Sequence, residues 1–179
     1  KIPFFLLENR IDDSGFEIVD CILADLELFV DLEVDDLIDI ATVLYKVGKD
    51  ELGLEMANKA LQLCDSIIDK WDKNRALLTL VKLFIQMEKV DESLRVANLI
   101  DKDSHKIDAL FELSQACIDC GDFCKGQEIL NESIQVARRM DYSRVVNLAR
   151  ISKTFFALGR IAEGDSILRE SLVAAESST

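Results

Sequence analysis

Six of the seven glycines stand in three pairs of one spacing: Gly48 with Gly53, Gly121 with Gly126, and Gly159 with Gly164. Setting Glu88 and Ser93 beside them gives a fourth copy, and the columns around the four anchors agree without a gap. Eleven residues before the anchor stand Leu37, Leu77, Leu110 and Leu148, and eight before stand Ile40, Leu80, Leu113 and Ile151. Seven before come the compact Ala41, Val81, Ser114 and Ser152, and four before come Leu44, Phe84, Cys117 and Phe155. Nine after the anchor are Ala57, Ala97, Leu130 and Leu168. Offsets of −11, −8, −7 and −4 form one stripe of a 3.6-residue helix. A glycine at the anchor suits the left-handed residue that ends a helix. The small residue five positions later suits a second helix that must approach the first closely. Each copy therefore predicts an antiparallel helical hairpin, and one hairpin cannot bury both its faces, so copies must stack.

The rest of the composition agrees. The only proline is Pro3, so the chain after it lacks the strongest helix breaker. Aromatic residues make up 7% and hydrophobic residues 49%, a mix that disfavours a β-sandwich and excludes a disordered acidic tail. Apolar runs are too short to span a bilayer, so no membrane partner is expected. Net charge is −13, which opposes nonspecific binding to a phosphate backbone. Five cysteines without the spacing of a secreted disulfide scaffold point to a reducing, cytoplasmic location. A chain opening on Lys1 is expected to continue upstream.

These columns resemble the tetratricopeptide repeat family over residues 33–176. Ala41, Gly48, Gly53, Ala57 and Ala60 carry its pattern in the first copy, and Gly121-Asp122-Phe123 its Gly-Asp-Tyr-like turn in the third. The anchors lie 40, 33 and 38 residues apart, the aromatic positions of the first helix are often aliphatic, and the closing proline is absent. The resemblance implies an all-α, right-handed solenoid of four hairpins, at 33–70, 71–102, 103–140 and 141–179. Residues 1–32 read either as a helical cap or as a degenerate repeat turning at Gly15.

In that family the first helices line a concave groove that takes a peptide. Carried onto this chain, the groove positions are Tyr45, Arg75, Leu78, Lys82, Ile85, Phe111, Gln115, Ile118, Arg150, Lys153 and Phe156. Apolar groups beside cations suit a peptide groove, although Ile85, Ile118 and Phe156 also suit packing against a neighbouring hairpin. The family's clamp for a chaperone's C-terminal carboxylate is not preserved, because Ile38 and Thr42 stand where Lys and Asn are needed.

Catalysis finds little support. His105 is the only histidine and lies among charged residues, so nucleophile–base pairs and zinc-water sites lack partners. The glycine pairs are followed by Leu54, Gln127 and Asp165 rather than the Lys-Ser/Thr of a phosphate loop. Cys117, Cys120 and Cys124, with His105 as a fourth ligand, form the sharpest local cluster. Cys117 nevertheless occupies a core column, and a two-pair zinc spacing is missing. No cofactor or metal is therefore expected.

The leading expectation is a non-enzymatic interaction scaffold whose partner is a protein, a peptide or another domain of the same longer chain. The alternatives are a ligand- or metal-responsive regulatory domain at Cys117–Cys124 and an RNA-binding repeat using Arg138–Arg160. Charge is also polarised: residues 11–40 hold eleven acids and no base, and 133–162 hold six bases and one acid. Two solvated faces explain such runs, and head-to-tail self-association or an acidic partner is the sharper expectation.

Overall fold

The computed structural model describes residues 32–141 and 143–177. The reading of residues 1–32 as a cap or degenerate repeat lies, apart from Leu32, outside the described residues. Among the described residues there are eight α-helices and no strand. They are α1 (Val34–Lys46), α2 (Asp50–Leu63), α3 (Lys70–Gln86), α4 (Val90–Asn98), α5 (Asp103–Asp119), α6 (Phe123–Arg139), α7 (Arg144–Ala157) and α8 (Ile161–Glu176), with a 3-10 turn at Cys64–Ser66 between α2 and α3. Two compact units divide the chain, Lys1–Lys89 and Val90–Thr179, and the boundary falls within the stretch 71–102.

All four anchors end a first helix in the same way. Gly48, Gly121 and Gly159 have φ of 75°, 88° and 72°, and Glu88 takes the same left-handed region at φ 57°. At each anchor two hydrogen bonds close the helix. In the first copy Gly48 N–H donates to the Tyr45 carbonyl at 3.0 Å and Lys49 N–H to the Leu44 carbonyl at 2.9 Å. Glu88 and Lys89 donate to Ile85 and Phe84, Gly121 and Asp122 to Ile118 and Cys117, and Gly159 and Arg160 to Phe156 and Phe155. This is the Schellman closure, and it satisfies carbonyls that the helix end leaves unpaired.

Glu88 holds its place in that closure at a steric cost, because a Cβ in the left-handed region crowds the following carbonyl. Glu88→Gly is therefore expected to raise stability by about 0.5–1 kcal/mol, after allowance for the greater freedom glycine has in the unfolded chain. Urea titration followed by circular dichroism measures it. A loss of stability instead would mean that the Glu88 side chain makes a compensating contact.

The stripe columns form the core. Leu77, Leu110 and Leu148, with Leu80, Leu113 and Ile151, are buried to 1% exposure or less, as are Phe84 and Phe155. Ile40 and Leu168 are the half-buried exceptions.

The two compact columns meet where the hairpins close. A Cβ on Gly53 would lie 3.1 Å from the Ala41 carbonyl oxygen, and one on Gly126 would lie 3.0 Å from that of Ser114. In the last hairpin Ser152 Oγ donates to the Gly164 carbonyl at 2.8 Å, which satisfies a buried hydroxyl across the interface. At both glycines backbone atoms of the first helix border the space a Cβ would take, and at Gly126 the Ile118 side chain crowds it more closely still.

Candidate partner-binding faces

In the first unit the face begins with α1 and α3. Arg75 Nη2 on α3 donates to Asp35 Oδ2 on α1 at 3.0 Å, and its Nε lies 3.7 Å from Asp72. The same guanidinium sits 5.9 Å from the Trp71 ring centroid. Its hydrogen bond to Asp35 and the nearby carboxylates hold its pKa above the usual arginine value. Tyr45, Leu78 and Ile85 are half-buried and Lys82 is exposed.

The second unit repeats the scheme between α5 and α7. Both Nη atoms of Arg150 donate to Asp108 Oδ1 at 3.1 Å, and its Cζ lies 4.0 Å from the Phe111 ring centroid. The guanidinium thus lies over the negative face of the ring, a contact worth about 0.5–1 kcal/mol at an exposed position. Its Nε is buried without a hydrogen-bond partner. Lys153, one helical turn further along α7, is exposed. Gln115 Nε2 donates along its own helix to Asp119 Oδ1 at 2.9 Å.

Ile118 and Phe156 are placed differently from these. A Cβ on Gly126 would lie 2.7 Å from Ile118 Cγ1, and one on Gly164 would lie 2.8 Å from Phe156 Cδ1. Both side chains therefore cover the glycine of their own hairpin and present only part of their surface outward.

The acids Asp35 and Asp108 are the face residues that sequence reasoning missed. Both stand thirteen residues before their anchors, in the same column as Arg75. Arg75 pairs with Asp35 of its own column, whereas Arg150, nine residues before its anchor, reaches Asp108 from another column, so no single column carried the signal. The basic stretch also carries less free charge than its composition suggests. Arg138 forms a two-point pair with Glu170, Arg139 pairs with Asp103, Arg150 with Asp108 and Arg160 with Glu163, and every one of these acids lies outside residues 133–162. The hydrogen bonds from Arg138 hold the Glu170 carboxyl below its usual range.

Cys117 is buried while Cys120 and Cys124 are exposed, and all three are free thiols. Burial pushes the Cys117 thiol up, and that of Cys64 up to about 11, so both stay protonated and behave as small apolar groups. His105 sits in the first turn of α5, where burial and then Lys102 lower its pKa. Among the described residues no group of three or more His, Cys, Asp or Glu side chains is placed to hold a metal ion. Nor is any described helix long and apolar enough to cross a membrane.

No protein-family model matches the sequence, and no curated protein does. Similarity emerges at the level of structure. A Podosopora anserina protein of nearly identical TPR-like repeats, described as a kinesin light chain, superposes with a TM-score of 0.54 at 12% identity, covering 93% of this chain and 88% of that one. A point variant of that Podosopora anserina protein gives the same TM-score and identity over 92% and 87%. The glycine-closed hairpins and these superpositions together make the fold an all-α helical repeat of the TPR-like kind.

Proposed function

We propose that this chain is a non-enzymatic scaffold that binds a protein or peptide partner across the faces of its first helices. The observation that carries the reading is the Phe111–Arg150–Asp108 stack beside exposed Lys153. The aromatic ring and the guanidinium are already held in place, so little side-chain freedom is lost when a ligand arrives. Arginine and aromatic side chains dominate the energetics of protein interfaces, and here both occupy one half-exposed surface next to an unburied ammonium. Tyr45, Arg75, Lys82 and Ile85 extend the same role to the first unit. The free thiols at Cys120 and Cys124 suit a reducing cytoplasm.

The test compares partners captured by the wild-type chain with those captured by Tyr45→Ala/Phe111→Ala/Lys153→Ala. A partner bound by the wild type should bind the triple variant about 30-fold or more weakly, the effect of losing one strong interface contact. Helicity should be unchanged, because none of the three residues is in the buried core. An unaltered affinity in a helical variant would overturn the reading.

A further inference from the structure

A second surface lies in the first unit, where the starts of α1 and α3 meet the end of α2 and the 3-10 turn. A cleft of about 520 Å³ opens there, with Leu32, Val34, Leu63, Ile67 and Ala76 as its apolar wall and Arg75 in its polar lining. Beside it the chain exposes side chains that ordinarily seek cover. Ile68, next to Ile67, is 98% exposed, and Trp71, next to Asp72 of the lining, is 53% exposed. These groups are held in position. Ile67 N–H donates to the Cys64 carbonyl, and Asp69 Oδ1 accepts from the Trp71 and Asp72 N–H groups at 2.8 and 3.0 Å. Ile68 is therefore presented between two anchored neighbours, which lowers the entropic cost of docking against it.

The surroundings are acidic. Across residues 32–39 and 63–76 there are seven acids against three bases, Lys70, Lys73 and Arg75. Two of those bases are engaged within the surface, Lys73 with Asp65 at 2.8 Å and Arg75 with Asp35 at 3.0 Å. The whole chain, at −13, adds a long-range attraction for cations.

We propose that this cleft docks a cationic amphipathic helix of another protein. Its apolar face would cover Ile68, Trp71 and the cleft wall, with its lysines or arginines over the surrounding carboxylates. An apolar face fits such a groove by the spacing of one side of a helix, and the charged rim selects the sign of the partner. The cleft shares Arg75 with the first-unit face described above and no residue with the Phe111–Arg150–Asp108 stack.

Trp71 is the only tryptophan and its ring lies beside the cleft-lining Arg75, so its emission reports a ligand that covers this edge of the cleft. The full chain is titrated with a synthetic Leu/Lys peptide carrying Leu at i, i+3, i+4 and i+7, and with the same peptide bearing Glu for every Lys. The Lys peptide should give a saturable blue shift that weakens with salt, and the Glu peptide none. Ile68→Asp should weaken the Lys peptide about tenfold or more at unchanged helicity, since this side chain is in water in the free chain. Phe111→Ala and Lys153→Ala should leave that binding unaltered. The absence of a shift, equal binding of the Glu peptide, or indifference to Ile68→Asp would overturn the proposal. So would a peptide-free dimer that Ile68→Asp dissociates, which would give the surface to a second copy. Emission already blue-shifted in the peptide-free monomer would give it to a segment of this chain and would overturn the proposal equally.

Discussion

Phe155→Ala should destabilise the protein by about 3–5 kcal/mol, the usual loss for a fully buried phenylalanine. Phe155 is 1% exposed, and its backbone carbonyl accepts the hydrogen bond from Arg160 that closes α7. Truncation would remove the ring from water-free packing and leave a cavity that the helix cannot close without moving its own turn. For a chain of this length the midpoint of thermal unfolding should fall by roughly 10 °C. Val173→Ala on α8 is the control: this side chain is 64% exposed, so its truncation should change stability by no more than about 0.5 kcal/mol. Urea titration of both variants gives the difference, and hydrogen exchange should show the loss of protection within residues 90–179. A Phe155→Ala effect below about 1 kcal/mol would mean that the column four residues before the anchor is not core.

Gly126→Val is the second large effect, of about 3 kcal/mol, by overpacking rather than by a cavity. A Cβ at 126 would meet Ile118 Cγ1 at 2.7 Å, the Ser114 carbonyl oxygen at 3.0 Å and the Ile118 nitrogen at 3.3 Å. Ile118 has rotamers to spare, but the two backbone atoms of α5 retreat only if α5 and α6 separate. Gly164→Ala is the instructive contrast. There the three nearest atoms all belong to the half-buried Phe156 ring, which can swing outward. Replacing a mid-helix glycine by alanine gains about 0.5–1 kcal/mol, so this variant should lie near neutrality. Chemical denaturation of the pair decides the matter: equal losses would show that the Phe156 ring is as immovable as backbone.

Much of the hairpin architecture was legible because it depends on local periodicity. Glu88 could be recognised as a turn residue without being glycine, since its flanking columns matched those of Gly48, Gly121 and Gly159, and its φ of 57° follows. The close approach of the compact columns was legible for the same reason. Ala41–Gly53, Ser114–Gly126 and Ser152–Gly164 are each twelve residues apart, the separation that a glycine-closed turn brings face to face.

The faces were legible only in part. Arg75 and Arg150 stood out by offset, but their partners Asp35 and Asp108 lie 40 and 42 residues earlier on other helices. The placement of Ile118 and Phe156 over Gly126 and Gly164 was not foreseen either, because a missing Cβ leaves room that a side chain one turn before the anchor turns inward to fill.

Local pattern in the chain carries where the helices turn and pair, because hydrophobic period, small-residue spacing and left-handed anchors act over about one or two helical turns. Tertiary structure alone decided which charges neutralise one another, as with Arg138 and Glu170, and which apolar groups remain in water, as with Ile68. Those outcomes depend on the distance and rotation between helices far apart in the chain, and a one-dimensional pattern carries neither quantity.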